Sequence, residues 1–167
     1  MNNNGLSARI GPAPFRLAIL FVSLLLAAVL SSCSRGYSYE DGPYSIWLES
    51  ENDSLHVLHL SVDGVKADTL LIPYPVYQFD CGDLTGNGCP EICVGVIKAT
   101  RYWPRGKRLF VYHLYHGRHI RPLWLGSKLG DIETFRVERD SVPARLITDQ
   151  AQYRYQGFGF KFEHYLH

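Results

Sequence analysis

Ile92-Cys93-Val94-Gly95-Val96-Ile97, ICVGVI, carries no polar side chain from end to end. A second run follows, Leu109-Phe110-Val111-Tyr112-His113-Leu114-Tyr115. Side chains of a strand alternate between its two faces, so Leu109, Val111 and Tyr115 point one way and Phe110, Tyr112 and Leu114 the other. A sheet with one face in water shows polar residues on that face. Neither run does. The sheet they form is expected between two others, apolar on both sides.

Working outward, no window of the chain beyond its first third holds a helical period; alternation and β-branched or aromatic runs dominate. Tyr44–Ser50 reads as a strand. Leu55–Val62 and Val65–Ile72 flank Asp63-Gly64, a pair that favours the positive φ angles of a type I′ hairpin. Pro73-Tyr74-Pro75 interrupts the ladder. Val76–Asp80 enters a glycine-containing loop and Glu91–Lys98 leaves it. After Ala99–Lys107, Arg108–Tyr115 and Arg118–Leu125 make a hairpin around His116-Gly117. A glycine-rich joint, Gly126–Gly130, precedes Ile132–Arg139, Ala144–Thr148, Gln152–Tyr155 and Phe158–Tyr165. Phe158, Phe160 and Phe162 alternate with Gly157, Gly159 and Lys161, as suits an outer sheet with one buried face. The expected fold is all-β: three groups of three or four antiparallel strands, the middle group sandwiched by the others. Closed propellers need typically four or more blades. Three groups therefore describe a partial propeller or a compact stack of blade-like sheets.

The first third is different. Arg9 and Arg16 flank an apolar run, Leu17–Leu30, shorter than the about 20 residues of a membrane span. A basic flank, a short apolar core and small residues after it describe a secretory signal. Leu30-Ser31-Ser32-Cys33 resembles the bacterial lipobox. That resemblance implies cleavage before Cys33, diacylglycerol on its sulfur, and anchorage to a membrane of the bacterial cell envelope. Residues 1–32 are then a signal peptide, 33–42 a tether with little to pack, and 43–167 the β-domain. The net charge of +1 and the export signal argue against nucleic acid. Cys81, Cys89 and Cys93 remain, an odd set that leaves open one disulfide or three small apolar fillers.

Asp83-Leu84-Thr85-Gly86-Asn87-Gly88-Cys89-Pro90-Glu91 has an acceptor at every second position, a glycine turn and a final acid. With Phe79-Asp80 before it and a strand after it, the stretch resembles the FG-GAP or VCBS-like blade of integrin-type β-propellers. The resemblance covers about residues 76–125 and weakly the last thirty-odd. It implies calcium ligated by the side chains of Asp83, Thr85, Asn87 and Glu91 and the carbonyl of Cys89. Calcium takes six to eight hard oxygen ligands, and Gly88 permits the bend. Thr85 and Asn87 replace the usual Asp, which weakens such a site. Asn87-Gly88 is also a good turn unaided, and Asp83 can cap nearby amides.

No nucleophile elbow, phosphate loop or zinc-protease motif occurs. Asp80, Asp83 and Glu91 cluster in one turn rather than across a cleft, which disfavours glycoside hydrolysis. His113 and His119 are expected on opposite faces of their hairpin and make no metal pair. The loop Arg101, Tyr102, Trp103, Pro104, Arg105, Gly106, Lys107, Arg108 combines aromatics with cations, a composition that stacks on sugars or grips anions. The expected role is a non-catalytic, lipid-anchored envelope binding or scaffold module, contacting an envelope protein or glycan through that loop. The rival is a glycan-active envelope enzyme.

Overall fold

The computed structural model describes residues 36–126, 131–157 and 159–166. The signal peptide, Cys33 and most of the Gly126–Gly130 joint lie outside them, as does Phe158. The described residues form three four-stranded antiparallel sheets, each a simple meander. The first holds β1 (Tyr37–Asp41), β2 (Tyr44–Asn52), β3 (Leu55–Val62) and β4 (Val65–Ile72). The middle holds β5 (Val76–Gly82), β6 (Glu91–Lys98), β7 (Gly106–Tyr115) and β8 (His119–Trp124). The third holds β9 (Phe135–Glu138), β10 (Arg145–Thr148), β11 (Ala151–Tyr155) and β12 (Phe160–Tyr165). The first strands adjoin, β1 against β5 and β5 against β9, in the manner of successive blades.

Two cores result, one on each face of the middle sheet. Ile92, Val94, Val96, Phe110, Tyr112 and Leu114 meet Ile46, Leu48, Leu58, Leu60 and Ile72 of the first sheet. Cys93, Leu109 and Val111 meet Phe135, Val137 and Leu146 of the third, with Leu84 and Ile132. Removing about 25 cal/mol of unfavourable hydration per Å² of apolar surface on both faces makes this sheet the main source of stability. The outer faces carry polar pairs. On the third sheet Glu163 accepts from Arg145 at 3.0 Å and from Gln152 at 2.9 Å, and pairs with Arg154 at 2.8 Å. On the first, Trp47 stacks on His59, which bonds Glu49 at 3.0 Å. Among the described residues no further sheet covers either outer face.

Edge backbone is satisfied by side chains across the sheet boundaries. Asp80 accepts the Val137 amide at 2.6 Å and pairs with Arg139, which also donates to the Cys81 carbonyl. The Gln78 amide donates to the Phe135 carbonyl and accepts the Phe135 amide. Asp68 of β4 accepts the Ile120 amide of β8 at 2.9 Å. Unpaired edge groups would otherwise remain open to further strands.

Two expectations are corrected. The tether is in part a strand: Tyr37–Asp41 pairs with β2, Tyr37 opposite Leu48 and Asp41 opposite Tyr44. Its two outer tyrosines, Tyr37 and Tyr39, pack on the first core. The hairpin after β7 has a three-residue turn, with Tyr115 opposite His119 and Leu114 opposite Ile120. His113 and His119 consequently share a face. The Asp63-Gly64 hairpin is as expected, with φ of 53° and 74°.

Gly95 faces the second core, where Tyr77 and Phe135 meet edge-on at 6.2 Å. A Cβ there would stand 2.6 Å from the Tyr77 ring and 2.9 Å from Phe135. Gly95→Ala is expected to destabilise by about 1–3 kcal/mol, the scale of core overpacking. Urea unfolding of the variant measures it; an unchanged midpoint would show that the two rings yield freely.

Candidate functional site

The loop between β5 and β6 closes on its own acids. The Asp83 carboxylate accepts the amides of Gly86 at 2.7 Å, Asn87 at 3.0 Å and Gly88 at 2.9 Å. Asn87 Oδ1 accepts the Cys89 amide at 2.7 Å. Glu91, fully buried, accepts the Thr85 amide at 2.9 Å and the Thr85 hydroxyl at 3.1 Å. Gly86 and Gly88 take φ of 77° and 79°, which turns successive amides inward. The loop is also a strap between sheets. Leu84 is buried in the second core, and the Asp83 carbonyl accepts the Ala144 amide at 2.7 Å.

The five residues that the blade resemblance assigns to calcium are thus adjacent in one loop. Calcium needs six to eight oxygens. Of the five, Asp83 and Glu91 bring carboxylates, and the oxygens of Asp83, Asn87 and Glu91 accept hydrogen bonds from the loop. Burial pushes the Glu91 carboxyl up to about 7, against the opposing bonds from Thr85. Among the described residues no three His, Cys, Asp or Glu side chains gather as a metal-holding group. Cys81, Cys89 and Cys93 are free thiols, and Cys89 Sγ lies 3.2 Å from the Tyr44 hydroxyl.

The segment after β6 divides its cations in a way composition did not reveal. Arg108 is buried. Its guanidinium donates to the Pro104 carbonyl at 2.7 Å, to the Lys107 carbonyl at 2.8 Å and to Asp131 at 2.7 Å. Lys107 pairs with Glu133 at 2.5 Å. Both are struts, which corrects their placement among the contact cations. The turn itself is set by Thr100, whose amide donates to the Trp103 carbonyl and whose hydroxyl accepts the Trp103 amide. That leaves Arg101, Tyr102, Trp103 and Arg105 outward, with Tyr102 68% and Trp103 41% exposed and Arg101 over the Tyr102 ring.

Beside this tip runs a groove of about 380 Å³, walled by Leu70, Leu71, Tyr74, Lys98, Phe110 and Leu125, with Arg101 at its rim. Lys98 Nζ donates to the Tyr74 hydroxyl at 2.9 Å and sits 4.3 Å from the centre of that ring. Sequence reading missed it. Pro73-Tyr74-Pro75 signals only a break, and Lys98 only the end of an apolar strand.

No protein-family model, no curated protein and no solved structure gives a significant match to the chain.

The Glu91 carboxyl generates a pH test. Its folded-state value is raised from 4.5 to about 7, so its contribution is full below 4.5 and is lost as pH rises through 7. A displacement of that size corresponds to roughly 3 kcal/mol. Glu91→Gln keeps an acceptor for Thr85 and removes the ionisation. Urea unfolding at pH 5 and pH 8 should show the variant gaining on the parent protein by up to that amount at the higher pH. A constant difference between the two proteins would contradict the assignment.

Proposed function

We propose that the chain is a non-catalytic binding module of the bacterial cell envelope, held to its membrane by lipid on Cys33. The observation that carries the binding part is the contrast between interior and surface. Each pair of sheets is joined by a packed apolar core, while a tip of two exposed aromatics and two cations stands out beside an open groove. Exposed aromatics and arginines dominate contact energies in binding sites.

The rival, a glycan-active enzyme, needs two carboxyls facing each other across an open cleft. The acids considered for it are engaged elsewhere: Asp80 by Arg139 and the Val137 amide, Asp83 by loop amides, Glu91 by Thr85 in the interior. The proposal includes descent from FG-GAP-like blades, which rests on the loop pattern of the sequence alone. The loop holds its shape by its own hydrogen bonds, with or without a bound calcium ion.

Anchorage rests on the order of signal and lipobox residues. Cys33→Ala is expected to abolish incorporation of labelled acyl chains and leave the protein in the soluble fraction; normal labelling of this variant would reject the anchor. For the binding role, Trp103→Ala should lower capture of envelope protein or glycan at least tenfold while melting stays unchanged. A loss of several kcal/mol of stability instead, the scale of a core truncation, would place Trp103 in the core and remove the tip as a contact surface.

A further inference from the structure

We propose that the groove between the first and middle sheets is a binding site for a single-chain anionic amphiphile, an acyl chain ending in one carboxylate. The ligand class deepens the reading of the chain as an envelope binding module and rests on that reading for where such a ligand would be met.

The walls specify the body of the ligand. Leu70, Leu71 and Pro73 come from the end of β4 and the chain that follows it, while Phe110, Pro122 and Leu125 come from the middle sheet. These offer apolar surface and no side-chain hydrogen bonds. Polar side-chain atoms are confined to Tyr74, Tyr112 and Thr100 and to the two cations. A sugar would leave most of its hydroxyls unpaired against such walls, at the cost of burying unmatched polar groups. A hydrocarbon chain leaves none. The volume, about 380 Å³, stands at the low end of small-molecule pockets, which run from roughly 300 to 1,000 Å³. It suits one short chain rather than a two-chain lipid.

The cations specify the head. Lys98 and Arg101 line the groove, and no Asp or Glu does. Neither pairs with a carboxylate among the described residues, unlike Lys107 and Arg108 a few residues on. An ammonium has three donors, and Lys98 spends one on the Tyr74 hydroxyl. The rings of Tyr74 and Phe110, 4.3 and 5.3 Å from Nζ, hold the charge in place without neutralising it. The arrangement is a fixed cation at the wall of an apolar trough, with a second on a projecting arginine. That pair complements one anionic group on an apolar body.

The test is photolabelling of the full chain in nanodiscs of zwitterionic lipid, using a diazirine-bearing dodecanoate. Adducts are expected on the peptides carrying Leu70–Tyr74 and Phe110–Leu125. Unlabelled dodecanoate should displace the probe at concentrations at least tenfold below those of dodecanol or dodecyltrimethylammonium. Lys98→Met with Arg101→Gln should cut labelling at least tenfold. Should that double variant melt below the parent protein, Arg101→Gln alone, at an exposed position, is expected to cut labelling about threefold with melting unchanged. Adducts spread over other peptides, equal displacement by the three competitors, or labelling indifferent to both substitutions would overturn the proposal. Labelling that appears only when anionic lipid is added to the nanodiscs would assign the cations to a membrane surface and overturn it too. Unchanged envelope capture in Trp103→Ala with labelling intact would count against the tip and not against the groove.

Discussion

The middle sheet cannot exist alone. β6 and β7 present apolar side chains on both faces, so each face needs a cover, and the first and third sheets are those covers. Every other feature follows from meeting that demand. The covers need only one apolar face each, which is why Glu49 and His59 on one side and Arg145, Arg154 and Glu163 on the other can be polar.

Apolar contact alone would let the sheets slide. What fixes their relative position is a set of side chains standing in for strand partners. Gln78 and Asp80 bond the edge backbone of β9, and Asp68 bonds that of β8. Each removes an edge amide from solvent and is geometrically exacting, since hydrogen bonds weaken steeply off axis. The Asp83–Glu91 loop belongs to the same system. Its acids organise the turn, Leu84 fills the second core, and the Asp83 carbonyl reaches Ala144.

This frame also sorts the cations around the tip. Arg108 and Lys107 sit where β7 nears the start of the third sheet, so Asp131 and Glu133 come within reach and both become struts. Lys98 ends β6 on the face toward the first sheet, where it meets the rings of Tyr74 and Phe110 and no acid among the described residues. Residues close in sequence thus fall to opposite uses according to whether an acid lies within reach.

The strand pattern of residues 44–165 could be read from alternation, because face periodicity is local and the two-sided apolar runs admit few arrangements. The Asp63-Gly64 turn was equally legible, since positive φ at both positions is a property of the dipeptide. The strand Tyr37–Asp41 was not. Its own residues carry little pattern, and it forms because β2 offers an open edge and the first core accepts its tyrosines. Likewise the hairpin at His116-Gly117 spends one more residue in its turn than the dipeptide suggests. Sequence grouped Arg101, Arg105, Lys107 and Arg108 by proximity; tertiary structure separated them by what lies opposite. The groove was invisible for the same reason. Its walls come from β4, β6, β7 and β8 and exist only when the first and middle sheets meet. Local pattern determines which segments are strands and which faces must be buried, because those depend on neighbours along the chain. The partners of each polar group are decided only by packing, because those partners are distant in sequence.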